Sequence, residues 1–328
     1  MKHLFSLTAL VVLLLMVPRV GMAEELPPDL EAYIRGFSQD YFKITSSIFV
    51  SFTSQTGVTQ GGFVFVDEAG DDFKMDVVKA PLRYYFSPPE SRTRPFLKFS
   101  YGYARTSTSY PSSSLYPEDR DIRDRDRSRT HSISLTPGVK WEYMPGFFIE
   151  PTIGFAYSHI EYKYDYNTRF MRELVTHYPS LDRDLFNTTV DLYSVSPGLR
   201  HEIEYPLGPG ILGFDLQYAY SYSKPWRSKS RFADFTVHSG FLGTTLDYEL
   251  PTGLTLWDKD LAVKPFLART DLFADFREGM EMNHFYEFGL GFILDVGDFG
   301  NLFSRISLSG SYINGEGLRG WKFGLNFI

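Results

Sequence analysis

The sequence contains no cysteine, which excludes disulfides, thiolate metal sites and a lipid anchor at a processed N-terminal cysteine. It contains one long apolar run, residues 4–17, so a protein with several membrane-spanning helices is excluded, since each needs about 20 apolar residues. Basic residues are not in excess either, because the formal net charge is −7. An acidic chain without a block of basic residues is a poor nucleic-acid binder.

The N-terminus has the organisation of a secretory signal peptide. Met1-Lys2-His3 is a basic start, residues 4–17 are apolar, and Pro18 interrupts the run. Gly21-Met22-Ala23 places small residues where a signal peptidase cleaves, so residues 1–23 are predicted to be removed after Ala23. An uncleaved membrane helix is disfavoured because the run is shorter than about 20 residues.

Residues 24–58 are predicted to form an N-terminal helical segment and linker, and this segment is a possible plug for the interior. Pro27-Pro28-Asp29 is a helix start signal, and apolar residues then recur at spacings of three and four up to residue 49. The apolar stripe consists of Leu30, Tyr33, Ile34, Phe37, Tyr41, Ile44 and Ile48.

Residues 59–328 are predicted to form a transmembrane antiparallel up-and-down β-barrel of about 12 strands, an all-β fold. Aromatic residues make up 17% of the chain, as expected for a lipid-facing surface with aromatic girdles. Twelve segments alternate between apolar and polar residues, which is the period of a strand with two different faces. The predicted lipid-facing set includes Leu216, Tyr218, Phe288, Leu290, Phe292, Phe323 and Leu325. The opposite face is small and polar and is predicted to line a lumen, with Gly102, Ala104, Gly154, Ala156, Ala219, Gly289 and Gly291 as examples.

The connections between these segments alternate in length. One side has the shorter connections, predicted at residues 88–94, 144–146, 207–210, 251–260 and 297–301. The other side has the longer connections, predicted at residues 107–128, 163–189, 224–234 and 271–283. Short periplasmic turns and long external loops are typical of outer-membrane barrels. An even strand number then places both ends of the barrel on the periplasmic side.

The chain ends on a strand. Trp321, Phe323, Leu325 and Phe327 share one face of this strand, and small or polar residues occupy the other. The pattern resembles the closing strand of bacterial outer-membrane barrels. That resemblance implies that these four residues form a signal for the barrel-assembly machinery.

The sequence contains only weak signals for a catalytic, metal-binding or ligand-binding site. The mixed-sign run at residues 118–127 could contact lipopolysaccharide, although a solvated external loop is favoured. Residues 67–72 are acidic but lack calcium-loop spacing, which favours a turn. The strand histidines are not followed two positions later by serine, the arrangement that would put both side chains on one face. We therefore predict no catalytic residue, metal site or cofactor, while a triad assembled across strands stays open.

The order of a helix followed by twelve strands resembles the translocator barrel of autotransporters, and the chain looks like the solitary barrels of that type. The resemblance implies a helix that threads the lumen. Only about six residues separate the predicted cleavage site from Asp29, which leaves no room for a passenger. We expect a bacterial outer-membrane protein that is not an enzyme and acts as a small pore or a structural barrel. A membrane-embedded hydrolase and a loop-mediated adhesion or lipopolysaccharide-interaction protein are the alternatives. The expected partners are outer-membrane lipids, lipopolysaccharide and the barrel-assembly machinery, without nucleic acid.

Overall fold

Twelve antiparallel strands form one closed barrel in the computed structural model of the chain. The structure describes residues 31–32, 34–36, 38–39, 42–43, 45–46, 58–66, 72–110, 122–299 and 303–327. The strands are β1 (Val58–Val66), β2 (Asp72–Tyr85), β3 (Thr93–Tyr110), β4 (Asp124–Met144), β5 (Phe147–Asp165), β6 (Thr189–Leu207), β7 (Gly210–Ser228), β8 (Val237–Leu256), β9 (Lys259–Phe273), β10 (His284–Phe299), β11 (Phe303–Gly315) and β12 (Leu318–Phe327).

Each strand pairs with its neighbours in the sequence, and β1 closes the barrel on β12. In the closing pair Val58 lies opposite Leu325 and Phe65 lies opposite Leu318. The start of β1 and the end of β12 are therefore on the same side, as predicted. The all-β, twelve-stranded, up-and-down barrel is confirmed. Full closure leaves no unpaired strand edge in the hydrocarbon, where each unsatisfied backbone group would cost several kcal/mol.

Side chains alternate between the lumen and the outer surface along every strand. The lipid-facing prediction is confirmed at the exposed positions of β7, β10 and β12, because Tyr218, Phe288, Leu290, Phe292 and Phe323 are all more than 40% exposed. The small residues predicted to face inward lie on the lumen face of β3, β5, β7 and β10.

Helices occur inside the barrel and in its long connections. The N-terminal helix, here α1, comprises the described helical residues 31–32, 34–36, 38–39, 42–43 and 45–46. Helix α2 spans Arg169–His177, α3 spans Pro179–Leu181 and continues as a π-helical turn over Asp182–Phe186, and α4 spans Ala274–Met280. The loops with α2 to α4 lie on one side of the barrel, hereafter the loop side, as the connection lengths predicted. In the described part of the chain, no helix combines the length and apolarity that a bilayer-crossing helix requires.

The turn predicted at residues 251–260 is wrong. β8 continues to Leu256 and β9 starts at Lys259, so the turn consists of Trp257 and Asp258 with φ of 54° and 59°. Two consecutive residues with positive φ match the twist of a hairpin and allow a two-residue connection. The register shifts between Pro251 and Thr255, an irregularity of the kind at which proline is tolerated inside a sheet.

Three predicted loops contain more regular structure than expected. The connection at residues 163–189 contains α2 and α3, and the connection at residues 271–283 contains α4. Part of the mixed-sign run at 118–127 belongs to β4, which starts at Asp124. Residues 111–121, the acidic residues 67–71 and the predicted signal peptide lie outside the described residues.

Candidate functional site in the barrel lumen

One face of α1 packs against the inner wall of the barrel. Ile34, Ser38, Phe42 and Ser46 recur every four residues and are each completely buried. The Phe42 ring lies 4.9 Å from the ring centroid of Tyr162. Phe42 belongs to a buried cluster whose other members face inward at the loop-side ends of β5, β6 and β8 or lie in the loop before β8. These members are Ile160, Tyr162, Val190, Leu192, Phe235 and Val237. The described part of α1 therefore lies in the loop-side half of the lumen.

Polar contacts fix α1 to the loop-side connections. Lys43 Nζ lies 2.8 Å from Asp275 Oδ1 at the start of α4. Gln39 Nε2 donates a hydrogen bond of 2.8 Å to the Asp234 carbonyl oxygen, between β7 and β8. Because these contacts involve two different connections, movement of α1 would have to break both.

The connection between β5 and β6 folds over the loop-side opening. Ile34 of α1 joins a buried cluster that includes Phe170, Leu181, Phe186 and Phe232. Asp124 of β4 supports the connection, because its carboxylate accepts hydrogen bonds from the Thr168 backbone N–H at 2.9 Å and the Thr168 hydroxyl at 2.6 Å.

Tyr166 lies in the same connection, where its hydroxyl donates a 2.5 Å hydrogen bond to Asp182. Burial and the neighbouring Asp182 carboxylate raise the pKa of Tyr166. The phenol therefore stays neutral and keeps its proton for this bond at physiological pH.

The lumen is not polar throughout, which corrects the prediction from the sequence. Its loop-side half contains a second apolar cluster on β1 to β3 and β7 to β12, with α4 packed against it. The cluster comprises Phe63, Met75, Val77, Ala104, Ala219, Phe241, Leu272, Phe276, Met280, Met282, Phe285, Ile313 and Leu318. An apolar helix face fits this half of the lumen because both surfaces leave water when they meet.

Ion pairs cross-link the rest of the lumen, five of them in the turn-side half and one, Lys322–Glu287, beside Ile313 of the apolar cluster. Arg83 of β2 reaches Glu150 of β5 with two hydrogen bonds of 2.9 and 3.0 Å. Bidentate pairs of this kind fix geometry as well as charge. Similar pairs are Lys140–Glu202 at 2.8 Å, Arg200–Asp215 at 2.6 Å, Lys264–Asp247 at 2.9 Å, Lys322–Glu287 at 2.7 Å and Arg305–Glu249. We call these six pairs the charged layer. Several of its pairs connect strands that are not neighbours, so they tie distant parts of the wall together.

A cavity of about 70 Å³ lies against the inward faces of β3 to β7. Its polar lining includes Lys98, Ser100, Thr136, Ser158, Arg200 and Gln217. A water molecule needs roughly 10–15 Å³ by this measure, and the lining offers it hydrogen-bond partners. The cavity can therefore hold several waters between the polar side chains of the lumen.

The structure does not gather the histidines into a single site. His131 Nδ1 lies 2.8 Å from the Tyr101 hydroxyl, and His159 Nδ1 lies 2.6 Å from Asp191 Oδ1, both on the outward face. Sequence analysis missed the second pair because its members are far apart in the chain and meet only through the β5–β6 register. Among the described residues, no group of three or more His, Cys, Asp or Glu residues could hold a metal ion.

The predicted assembly residues lie as expected on β12. Trp321 and Phe323 face outward, and their rings lie 5.2 Å apart. Phe323 and Leu325 pair in register with Gly310 and Leu308 of β11. Phe327 is the last residue of β12 and lies opposite Ile306, so all four residues belong to the closing strand.

Phe42→Ala is expected to loosen α1. Loss of a buried phenylalanine costs about 3–5 kcal/mol, so the detached helix should become more populated and more accessible to protease. The measurement is the cleavage rate within residues 24–57 of detergent-solubilised protein after protease addition. Gly36→Ala is the control, since a Cβ at residue 36 meets nothing within 4 Å. Equal cleavage rates for both variants would show that the Phe42 contacts do not hold the helix.

Comparison with known proteins relates this barrel to autotransporter beta-barrels. Residues 72–327 match the family described as the solitary outer membrane autotransporter beta-barrel domain. The beta domain of the Bordetella autotransporter Brka is similar with 12% identity and a TM-score of 0.51, over 83% of this chain and 98% of that one. The translocator domain of the autotransporter NalP from Neisseria meningitidis is similar with 12% identity and a TM-score of 0.52, over 91% and 98% of the two chains. At such identities the similarity concerns the fold. No curated protein matches the sequence significantly.

Proposed function

Because the chain belongs to the family of solitary outer membrane autotransporter beta-barrel domains, we propose that it acts as a small pore that α1 holds closed. It is a barrel of the bacterial outer membrane. The observation that carries the proposal is the burial of Phe42 among inward-facing residues of β5, β6 and β8. Current recordings from the intact protein and from a variant without the helix provide the test.

Two obstructions in series support a closed pore. The first is α1, which occupies the loop-side half of the lumen together with the connection folded over it. The second is the charged layer, in which Arg83 and Glu150 join strands on separate parts of the wall. The polar cavity is large enough to hold several waters, which an ion pathway needs. Removal of α1 would therefore open the loop-side half of the path and leave the charged layer as the remaining restriction.

We propose further that the barrel is not an enzyme. A membrane hydrolase requires a nucleophile beside its base. The partners of His131 and His159 are Tyr101 and Asp191 rather than a serine hydroxyl. Purified protein is expected to release no fatty acid from phospholipid micelles.

The closing strand is proposed to be the signal for the barrel-assembly machinery. Deletion of Phe327 and Ile328 should lower the amount of protein in the outer membrane and induce envelope stress, because it shortens the strand that pairs with both β11 and β1. The control is Asn326→Ser, which keeps the strand length and changes only an inward-facing residue. Protein levels are measured by immunoblot of isolated outer membranes. If the deletion variant reached the wild-type amount in the outer membrane, the closing strand would not be the assembly signal.

Outer-membrane lipids surround the barrel, and we propose lipopolysaccharide as a specific lipid partner. The loop-side ends of the strands face the outer leaflet in this orientation, since long loops are external in outer-membrane barrels.

A further inference from the structure

The outward face of β3 and β4 carries four arginines near the loop side, of which Arg127 pairs with Asp165. Arg105 lies directly opposite Arg129 in the β3–β4 register, and Arg125 lies further along β4 on the same face. Arg105, Arg125 and Arg129 are exposed. Like charges directly opposite each other destabilise a sheet. An anion bound between them would remove that repulsion.

Neighbouring charges leave these arginines without an ion-pair partner. In the β4–β5 register Asp165 lies opposite Arg125 and Glu161 lies opposite Arg129. Both carboxylates are engaged elsewhere, because Asp165 pairs with Arg127 and Glu161 pairs with Lys163 at 3.1 Å. Asp76 of β2 lies opposite Arg105 in register, but in the described part of the chain no ion pair includes Arg105, Arg125 or Arg129. This surface is rich in cations although the whole chain has a net charge of −7.

The arginines lie just beyond the aromatic belt of the barrel. Tyr103 and His131 are the next outward pair toward the membrane centre, about 7 Å along the strands. Their rings lie 5.0 Å apart. Aromatic girdles mark the boundary of the hydrocarbon, so the guanidinium groups of Arg105 and Arg129 lie at the level of the lipid headgroups. Arg125 lies about 13 Å further out along β4. The long loops place this boundary in the outer leaflet.

We propose that Arg105, Arg125 and Arg129 form a binding site for the phosphate groups of the outer-leaflet glycolipid, lipopolysaccharide. Arginine suits this ligand because its planar guanidinium binds phosphate with two parallel hydrogen bonds. Phosphate between Arg105 and Arg129 turns a repulsive cross-strand pair into a bridged one. The inference rests on the proposed lipid partner and gives it a location, and it is independent of whether the lumen conducts.

The test is the binding of purified lipopolysaccharide to the full mature protein in zwitterionic detergent. The double variant Arg105→Gln/Arg129→Gln is expected to bind at least about tenfold and up to about a hundredfold more weakly, since a hydrogen bond to a charged group contributes on the order of tenfold and two such groups are removed. The control Arg319→Gln/Lys224→Gln removes the same charge from outward positions of β12 and β7. This control should bind like the wild type. Arg125→Gln alone should give an intermediate loss.

Two further probes distinguish phosphate recognition from general charge attraction. Lipopolysaccharide whose lipid phosphates have been removed should bind the wild type as weakly as intact lipopolysaccharide binds the double variant. Vesicles made anionic by a fatty acid, which carries a carboxylate and no phosphate, should bind the wild type and the double variant equally. Undiminished binding of the dephosphorylated lipid, or an equal loss in the control variant, would overturn the site. Heat-modifiable gel mobility of each variant verifies that the barrel is folded, so a lost affinity reports on the site.

Discussion

Removal of residues 24–50 is expected to give a larger and steadier conductance than the intact mature protein shows in planar bilayers. The physical reason is the position of α1, whose buried face fills the loop-side half of the lumen through Ile34 and Phe42. The barrel wall itself should survive the deletion, because strand pairing starts at Val58.

The conductance after deletion should still be limited by the charged layer. Arg83→Gln in the deletion variant breaks the bidentate pair with Glu150 and is expected to raise the conductance further. The matched control is Gly36→Ala in the full chain, which should conduct like the wild type. Identical currents from intact and deleted protein would show that α1 does not close the pore. Absence of current from both would remove the pore function and leave a structural barrel.

Leu290→Arg is expected to destabilise the barrel by about 2–4 kcal/mol, the cost of arginine on the lipid face near the middle of the bilayer. Leu290 is 42% exposed and lies midway in the outward row of β10 that includes Phe288 and Phe292. The measurement is the free energy of unfolding in urea with the protein in phospholipid vesicles.

Gly291→Arg is the matched control, one residue further along the same strand. A Cβ at residue 291 would lie 3.5 Å from the Lys264 carbonyl oxygen and 3.7 Å from Ser307 Oγ. These are ordinary contacts, and the arginine would project into the hydrated lumen. Its cost should be much smaller than that of Leu290→Arg. Equal destabilisation by the two substitutions would contradict the assignment of the two faces.

The strands and their faces could be predicted from the sequence because alternation is a local property. Leu290 and Gly291 differ in chemistry because one faces lipid and the other faces the lumen, and that difference repeats along β10. Strand ends were predicted less well. β4 starts at Asp124 and β7 ends at Ser228, inside the connections predicted at residues 107–128 and 224–234. Outside the membrane both faces are wet, so backbone pairing continues after the alternation has ended.

The amino-acid sequence by itself determined that this chain forms a barrel, how many strands it has and which residues face lipid. Each of these follows from two facts. Side chains alternate with a period of two along a strand, and only the face that contacts the bilayer must be apolar. The contents of the lumen were decided by the tertiary structure. Arg83 meets Glu150, and Phe42 meets Tyr162 and Val190, only because closure brings separate strands around one axis. Contacts across that axis depend on the register between strands and on the position of each residue along the barrel axis. Neither can be predicted from a local sequence pattern.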